Sequence, residues 1–164
     1  MNHLSRLQQK IVTLPQLSSL LHIWRLHSDT IVFTNGCFDL LHEGHIHTLA
    51  AAKDQGDRLI VGLNSDASTT RLKGPDRPIN NEQQRALVLA ALQVVDLVAV
   101  FTEDTPENLI HAIQPDVLVK GGDYTIEQIV GADFVQAYGG SVVTIPLVEG
   151  MSTSSIESRL QGRK

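Results

Sequence analysis

Three histidines, His42, His45 and His47, fall within six residues of one another in the stretch Thr34-Asn35-Gly36-Cys37-Phe38-Asp39-Leu40-Leu41-His42-Glu43-Gly44-His45-Ile46-His47. An apolar run, Ile31–Phe33, precedes the stretch and a helix-like run follows it, so the histidines stand at the mouth of a helix. Residues three apart at a helix start lie on one side. This groups His42 with His45 and turns His47 away, toward a structural or surface role. Gly44 between them lets a phosphate approach the backbone closely. The helix N-terminus adds unpaired N–H groups and a dipole that favours anions. Two imidazole donors there can hold phosphoryl oxygens while negative charge builds up. A single histidine in this place is as readily a capping or core hydrogen bond. A zinc site competes, because histidine is a normal zinc ligand. There is no HExxH arrangement, however, and the one thiol, Cys37, comes five residues before His42.

Other chemistry-bearing residues sit in polar interruptions. Lys73 and Arg77 lie in LKGPDRP, Asp66 in NSDAS, Lys120 and Asp123 in Lys120-Gly121-Gly122-Asp123-Tyr124, and hydroxyls cluster at Ser152-Thr153-Ser154-Ser155. Paired glycines permit close backbone approach to a ligand. Hydroxyls at a helix start cap it and can bind phosphate. Each feature also has an ordinary explanation: solvated charge for the basic pair, an Asx-type turn for Asp66, a plain N-cap for the serines.

The elements that must position these residues alternate. Short Val/Ile/Leu strands are expected at 31–34, 58–63, 96–100, 117–119 and 142–145. Helices are expected at 44–54, 82–93 with Asn81 as a cap, 105–112, within 125–138, and at 154–160. Residues 64–80, with Gly74, Pro75 and Pro78, read as a long connection. Unbroken apolar strands between helices are what a parallel sheet buried on both faces requires. The expected fold is therefore an α/β, Rossmann-like, doubly wound sheet of five parallel strands. Ligands in such sheets bind beyond the carboxyl ends of the strands, which nominates 34–45, 64–77, 120–124 and 148–155. Residues 1–29 read as an N-terminal helical extension, with Pro15 in a first turn and Leu17, Leu20, Leu21 and Trp24 at helical spacing. Trp24 belongs to that packing stripe rather than to a ligand platform.

Bulk properties narrow the classes. The chain has 164 residues, 42% of them hydrophobic, which suits one domain with a real core. A net charge of -5 argues against a broad nucleic-acid footprint, while a small phosphorylated ligand needs only local positive charge. One cysteine excludes an internal disulfide framework. No run is long enough for a membrane span, and the first ten residues lack a signal-peptide pattern. A cytoplasmic location is expected. No GxGxxG or P-loop pattern is present, and no Ser/His/Asp order demands a nucleophile.

TNGCFDLLHEGHIHTL resembles the first signature of the nucleotidyltransferase superfamily, whose hallmark is an HxGH box. The box alone is a weak pattern. Here it follows an apolar strand, begins a helix, and is succeeded in order by GDRLIVGLNSDASTTRLKGPDRPIN (56–80), EQQRALVLAAL (82–92), DTPENLI (104–110), QPDVLVKGGDY (114–124) and EGMSTSSI (149–156). Within the superfamily the chain most resembles the adenylyltransferases that make ADP-heptose from ATP and D-glycero-beta-D-manno-heptose 1-phosphate for lipopolysaccharide core synthesis. The resemblance spans roughly 28–160, and so implies a nucleotidyltransferase domain at 30–164 with strand order 3-2-1-4-5. In many bacteria this domain is fused behind a sugar kinase. The resemblance without a kinase half implies the stand-alone form.

The family reaction is in-line displacement at the α-phosphorus of ATP. By resemblance, His42, His45 and Lys73 are catalytic. Thr34, Asn35, Gly36, Cys37, Phe38 and Gly44 face the nucleotide phosphates, with Thr34 a possible hydroxyl donor and Cys37 a packing or backbone-positioning residue. Arg85, in the superfamily's ExxR element, reaches the phosphates or ties helix to loop. Lys120, Gly122 and Asp123 are expected at the nucleotide, Asp123 on sugar hydroxyls or holding its loop. Ser152, Thr153, Ser154 and Ser155 are expected at the β- and γ-phosphates. Asp39, Asp66 and Arg77 are expected at the substrate phosphate or sugar, although Asp39 suits a turn role equally well. No dense carboxylate cluster marks a metal cage, so Mg²⁺ would arrive with ATP. The partners implied are ATP, a sugar 1-phosphate and further copies of the chain, in a dimer or larger assembly. A glycerol-3-phosphate cytidylyltransferase is the nearest rival within the superfamily. The arginine typical of its RTEGxSTT string is missing at Leu147-Val148-Glu149-Gly150. A non-enzymatic binding module of the same fold is the rival from another class.

Overall fold

The computed structural model of the chain describes residues 2–146 and Gly162. Among them six strands form one parallel sheet: β1 (Ile11–Val12), β2 (Ile31–Gly36), β3 (Arg58–Asn64), β4 (Leu97–Phe101), β5 (Val117–Gly121) and β6 (Ser141–Ile145), in the order β1-β4-β3-β2-β5-β6. The helices are α1 (His3–Gln8), α2 (Leu14–Leu26), α3 (Glu43–Lys53), α4 (Asp66–Lys73), α5 (Glu82–Ala90), α6 (Glu107–Ile113) and α7 (Ala132–Ala137), with a 3-10 turn at Ile126–Gln128. The five expected strands are parallel and in the expected order. The terminal helix expected at 154–160 lies outside the described residues.

Two features differ from the sequence reading. A sixth strand exists: β1, inside the segment read as purely helical, pairs Ile11 with Val98 and Val12 with Ala99 on the sheet edge. It is two residues long, too short for any periodicity to reveal. Residues 64–80 are not one long connection, because α4 occupies 66–73. Ser65 caps it by accepting from Ser68 N–H at 3.2 Å, and Gly74 ends it at φ 103°, a conformation that side chains resist.

The apolar residues divide by strand alternation into one core on each face of the sheet. Ile31, Phe33 and Ile60 pack with Leu17, Leu21, Trp24, Ile110 and Ile113. Val32, Leu59, Val61 and Leu63 pack with Leu49, Ala52, Ala86 and Leu89. Trp24 is a packing residue, buried, with the Arg58 guanidinium 5.2 Å from its ring centroid. Local signals start the helices. At α2, Gln16 Oε1 accepts from Thr13 N–H at 2.8 Å; at α5, Asn81 Oδ1 accepts from Gln84 N–H at 2.9 Å. This framework brings the carboxyl ends of β2, β3, β4 and β5 to one edge, around β2, where the chain order reverses direction across the sheet.

Candidate active site

The carboxyl ends of the strands surround a cleft of about 440 Å³. β2 contributes Asn35, Gly36 and Cys37; β3 contributes Asn64; α4 contributes Leu72 and Lys73; β5 and its loop contribute Lys120 and Tyr124. The turn after β4, Asp104-Thr105-Pro106, and residues 128–130 complete the walls. Neither of these last two is among the segments that the sequence nominates. The carboxyl-end rule, extended to β4, finds the first.

The histidine box forms the entry to α3. The rings of His42 and His45 stack at 3.8 Å with 29° between planes. His42, the N-cap, donates its backbone N–H to Nδ1 of His45 at 3.4 Å. Because Nδ1 of His45 accepts, the proton of a neutral ring is assigned to Nε2, which becomes a donor. Burial, then the charges of His42 and Lys73, push His45 down to about 4. It is therefore neutral near pH 7. Burial also lowers His42. The buried Nδ1 of His42 has no hydrogen-bond partner among the described residues. Phe38, at φ 45°, lays its ring 5.2 Å from that of His45 and fills the space a side chain on Gly36 would need. His47 is exposed and meets Glu43 at 3.5 Å, the surface role expected of it.

Two lysines line the cleft, and one of them acts on this box. The charge of Lys73 acts on His45, and Lys73 makes no ion pair among the described residues. Lys120 Nζ donates to Asn35 Oδ1 at 3.4 Å and lies 5.7 Å from the Tyr124 ring; burial lowers its pKa. Gly122, at φ 128°, lies under the Tyr124 ring, where a Cβ would stand 2.8 Å from a ring carbon. Asp123 is exposed and is not part of the cleft wall. Gly44 is buried in the first turn of α3, where its carbonyl accepts from Thr48 Oγ1 at 3.1 Å. Ser152, Thr153, Ser154 and Ser155 lie outside the described residues.

Five residues expected near the ligands face or pair elsewhere, Arg85 and Asp39 in the alternative roles that the sequence leaves open. Thr34 is 2% exposed, within β2 and not on the cleft wall, so its hydroxyl is not offered to a phosphate. Arg85 is buried with its side chain 1% exposed. Its guanidinium donates to the carbonyls of Asn80, Asn64 and Cys37 and to Asp66 Oδ1 at 2.8 Å. It therefore ties α5 to the ends of β2 and β3, and Asp66 is the partner that balances it. Asp39 is equally inward. Its carboxylate accepts from Arg77 Nη1 at 2.8 Å and from the backbone N–H groups of Ile79 and Asn80. Burial alone would raise its pKa, but these donors outweigh it and hold the carboxyl below its usual range. Asp39 thus positions the 77–80 segment against the first turn, with Arg77 in that pairing.

No group of three or more His, Cys, Asp or Glu among the described residues could hold a metal ion. No helix among them is long and apolar enough to cross a membrane.

A parallel sheet with stacked histidines at the mouth of its first full crossover helix, and lysines across the adjoining cleft, is a nucleotidyltransferase arrangement. The chain belongs to the cytidylyltransferase-like family, whose pattern matches residues 33–158. It is similar to the bifunctional protein HldE of Ectopseudomonas mendocina (strain ymp), at 54% identity over 95% of this chain and 33% of that protein. It is also similar to the bifunctional protein HldE of Nitrobacter winogradskyi, at 59% identity over 89% of this chain and 30% of that protein. The chain thus spans about a third of the length of these curated relatives. Among solved structures, the lipopolysaccharide core biosynthesis protein from Thermoplasma volcanium GSS1 aligns with TM-score 0.59 and 30% identity, covering 73% of this chain and 97% of that one. The pantoate-beta-alanine ligase from Francisella tularensis shares the fold, with TM-score 0.60 and 16% identity over 92% of this chain and 76% of that one.

Proposed function

We propose that the chain transfers AMP from ATP to D-glycero-beta-D-manno-heptose 1-phosphate, giving ADP-heptose and pyrophosphate. A phosphate oxygen of the sugar 1-phosphate attacks the α-phosphorus in line. The bond from the α-phosphorus to the bridging oxygen of the β-phosphate breaks, and its electrons leave on pyrophosphate. No covalent intermediate on the protein is needed, so the residues align two anions and stabilise charge. Mg²⁺ enters as part of the ATP substrate. Family membership and the similarity to HldE proteins and to a lipopolysaccharide core biosynthesis protein support this choice of reaction.

The observation that carries the reading is the His42–His45 stack. His45, neutral and with its Nδ1 satisfied, offers Nε2–H to a phosphoryl oxygen. As a neutral donor it needs no counter-ion in the empty site and keeps that form across ordinary pH. Lys73 and Lys120 supply the positive charge that the neutral pair lacks, lowering the repulsion between triphosphate and sugar phosphate. Asn35, Gly36 and Cys37 line the approach to the phosphates.

A pyrophosphate-release panel tests it, crossing ATP, CTP and GTP with heptose 1-phosphate, glycerol 3-phosphate and choline phosphate. Release is expected with ATP and heptose 1-phosphate. Comparable turnover with CTP and glycerol 3-phosphate overturns the reading.

A further inference from the structure

The turn after β4 is exposed, yet it is braced from three sides. The Glu103 carboxylate folds back to accept from Thr102 N–H at 3.0 Å and from the Asn108 side-chain amide at 3.2 Å. Ser68 of α4, fully buried, donates its hydroxyl to Glu103 O at 2.7 Å. Arg71, one turn further along α4, donates Nε to Asp104 Oδ1 at 2.6 Å and Nη2 to the Thr102 carbonyl. These bonds join the turn to the helix that carries Lys73, so the two rims of the cleft are held to each other. Side chains held this way by a supporting layer are what a recognition wall needs. The stability gained is small, since the Arg71–Asp104 pair is about half exposed on both sides.

The chemistry of the turn says what it faces. Asp104 and Thr105 line the cleft together with Asn64, whose amide donates to Ser68 Oγ at 3.0 Å. The Asp104 carboxylate offers no donor to a phosphate and, with Oδ1 held by Arg71, can use Oδ2 to accept hydrogen bonds from the hydroxyls of a neutral polyol. The cations of the cleft, Lys73 and Lys120, serve the phosphates. Resting on the function proposed above, we infer that Asp104 and Thr105 are specificity-determining residues that read the hydroxyls of the acceptor sugar, and that Arg71 is the positioning residue that aims Asp104.

Steady-state kinetics on Asp104→Asn, Thr105→Val and Arg71→Ala, with ATP and the sugar 1-phosphate varied separately, tests this. In Asp104→Asn the KM for the sugar phosphate should rise about tenfold, the scale of one lost hydrogen bond to a charged group, with the KM for ATP unchanged. Thr105→Val should shift the same constant in the same direction. Arg71→Ala should do likewise, and Arg71→Lys should recover part of the loss, which a merely structural arginine would not require. Thermal midpoints within a degree or two of wild type are expected throughout. A rise in the KM for ATP equal to or larger than that for the sugar phosphate overturns the inference, because the wall then faces the nucleotide. Unchanged KM for both substrates overturns it too. If wild type turns over no sugar 1-phosphate, the proposed function and this inference fall together. If wild type is active and the variant ratios stay flat, only the inference falls.

Discussion

The two ends of the sheet treat charge in opposite ways. At the amino ends of the strands, carboxylates accept from the backbone, from basic side chains or, at Asp96, from both. Asp96 takes the Leu59 N–H at 2.7 Å and Lys53 Nζ at 2.6 Å; Asp116 takes the Ile31 N–H at 2.7 Å; Asp57 takes the Thr30 N–H at 2.8 Å; Asp29 pairs with Arg58 at 2.6 Å. At the carboxyl ends, ion pairs also exist, but they brace walls: Arg85–Asp66, Arg77–Asp39 and Arg71–Asp104. The lysines that face the cleft are different. Among the described residues Lys73 has no carboxylate partner, and Lys120 meets an amide oxygen and the Tyr124 ring and no carboxylate. One end fastens strand starts to the loops beside them. The other fixes its walls and leaves positive charge for an anion to neutralise.

The sharpest way to break this contrast is at the histidines. His42→Ala and His45→Ala should each lower kcat by about 10² or more, the scale of losing a preorganised transition-state donor. Circular dichroism should show the fold intact, and single-turnover rates should locate the loss in the chemical step. If both variants unfold, the box belongs to the structural end of the contrast. The amino end should behave oppositely. Asp96→Ala leaves the Leu59 N–H without its acceptor and Lys53 with only the Asp57 carbonyl, so urea unfolding should show a loss of about 2 kcal/mol, with kcat/KM near wild type. A smaller effect is expected at Lys73. Lys73→Ala should reduce kcat/KM by about tenfold through lost charge compensation and leave the thermal midpoint unchanged, because an exposed lysine contributes little to folding.

The smallest effect is in the pH dependence. In the fold His45 is pushed down to about 4, whereas an unfolded histidine titrates near ~6.5. As pH falls between these values the unfolded chain takes up the proton first. The stability from keeping His45 neutral is thus full above about pH 6.5 and declines toward pH 4. Urea midpoints measured from pH 7 to pH 4 should fall, and His45→Gln should flatten that part of the curve. A midpoint that does not respond to His45→Gln would place the acid sensitivity elsewhere.

Some of this molecule is written locally. Runs such as Leu59–Leu63 and Val117–Val119 name buried parallel strands, because a strand covered on both faces needs apolar residues at successive positions. Asn81 and Gln84 announce the start of α5. The spacing of His42 and His45 puts them on one side of a helix mouth, and the structure stacks them. The polar run DASTTRLK concealed α4 because it has no apolar stripe, although Ser65 before it and Gly74 after it are start and stop signals. Other features depended on residues far apart in the chain. β1 is a strand only because β4, 87 residues later, offers an open edge. Arg85 and Asp39 look like ligand groups in sequence. Which way they face is decided by carbonyls and N–H groups that arrive from other elements, such as Cys37 for Arg85 and Ile79 for Asp39. A buried charge must find partners, and local sequence does not say where those partners are. The same holds for Asp104, which reaches the cleft because Arg71 and Ser68 on α4 hold its turn there. Periodicity and capping are short-range properties and determine the elements. The burial and pairing of individual charges are set when distant segments pack, so only the tertiary structure decides them.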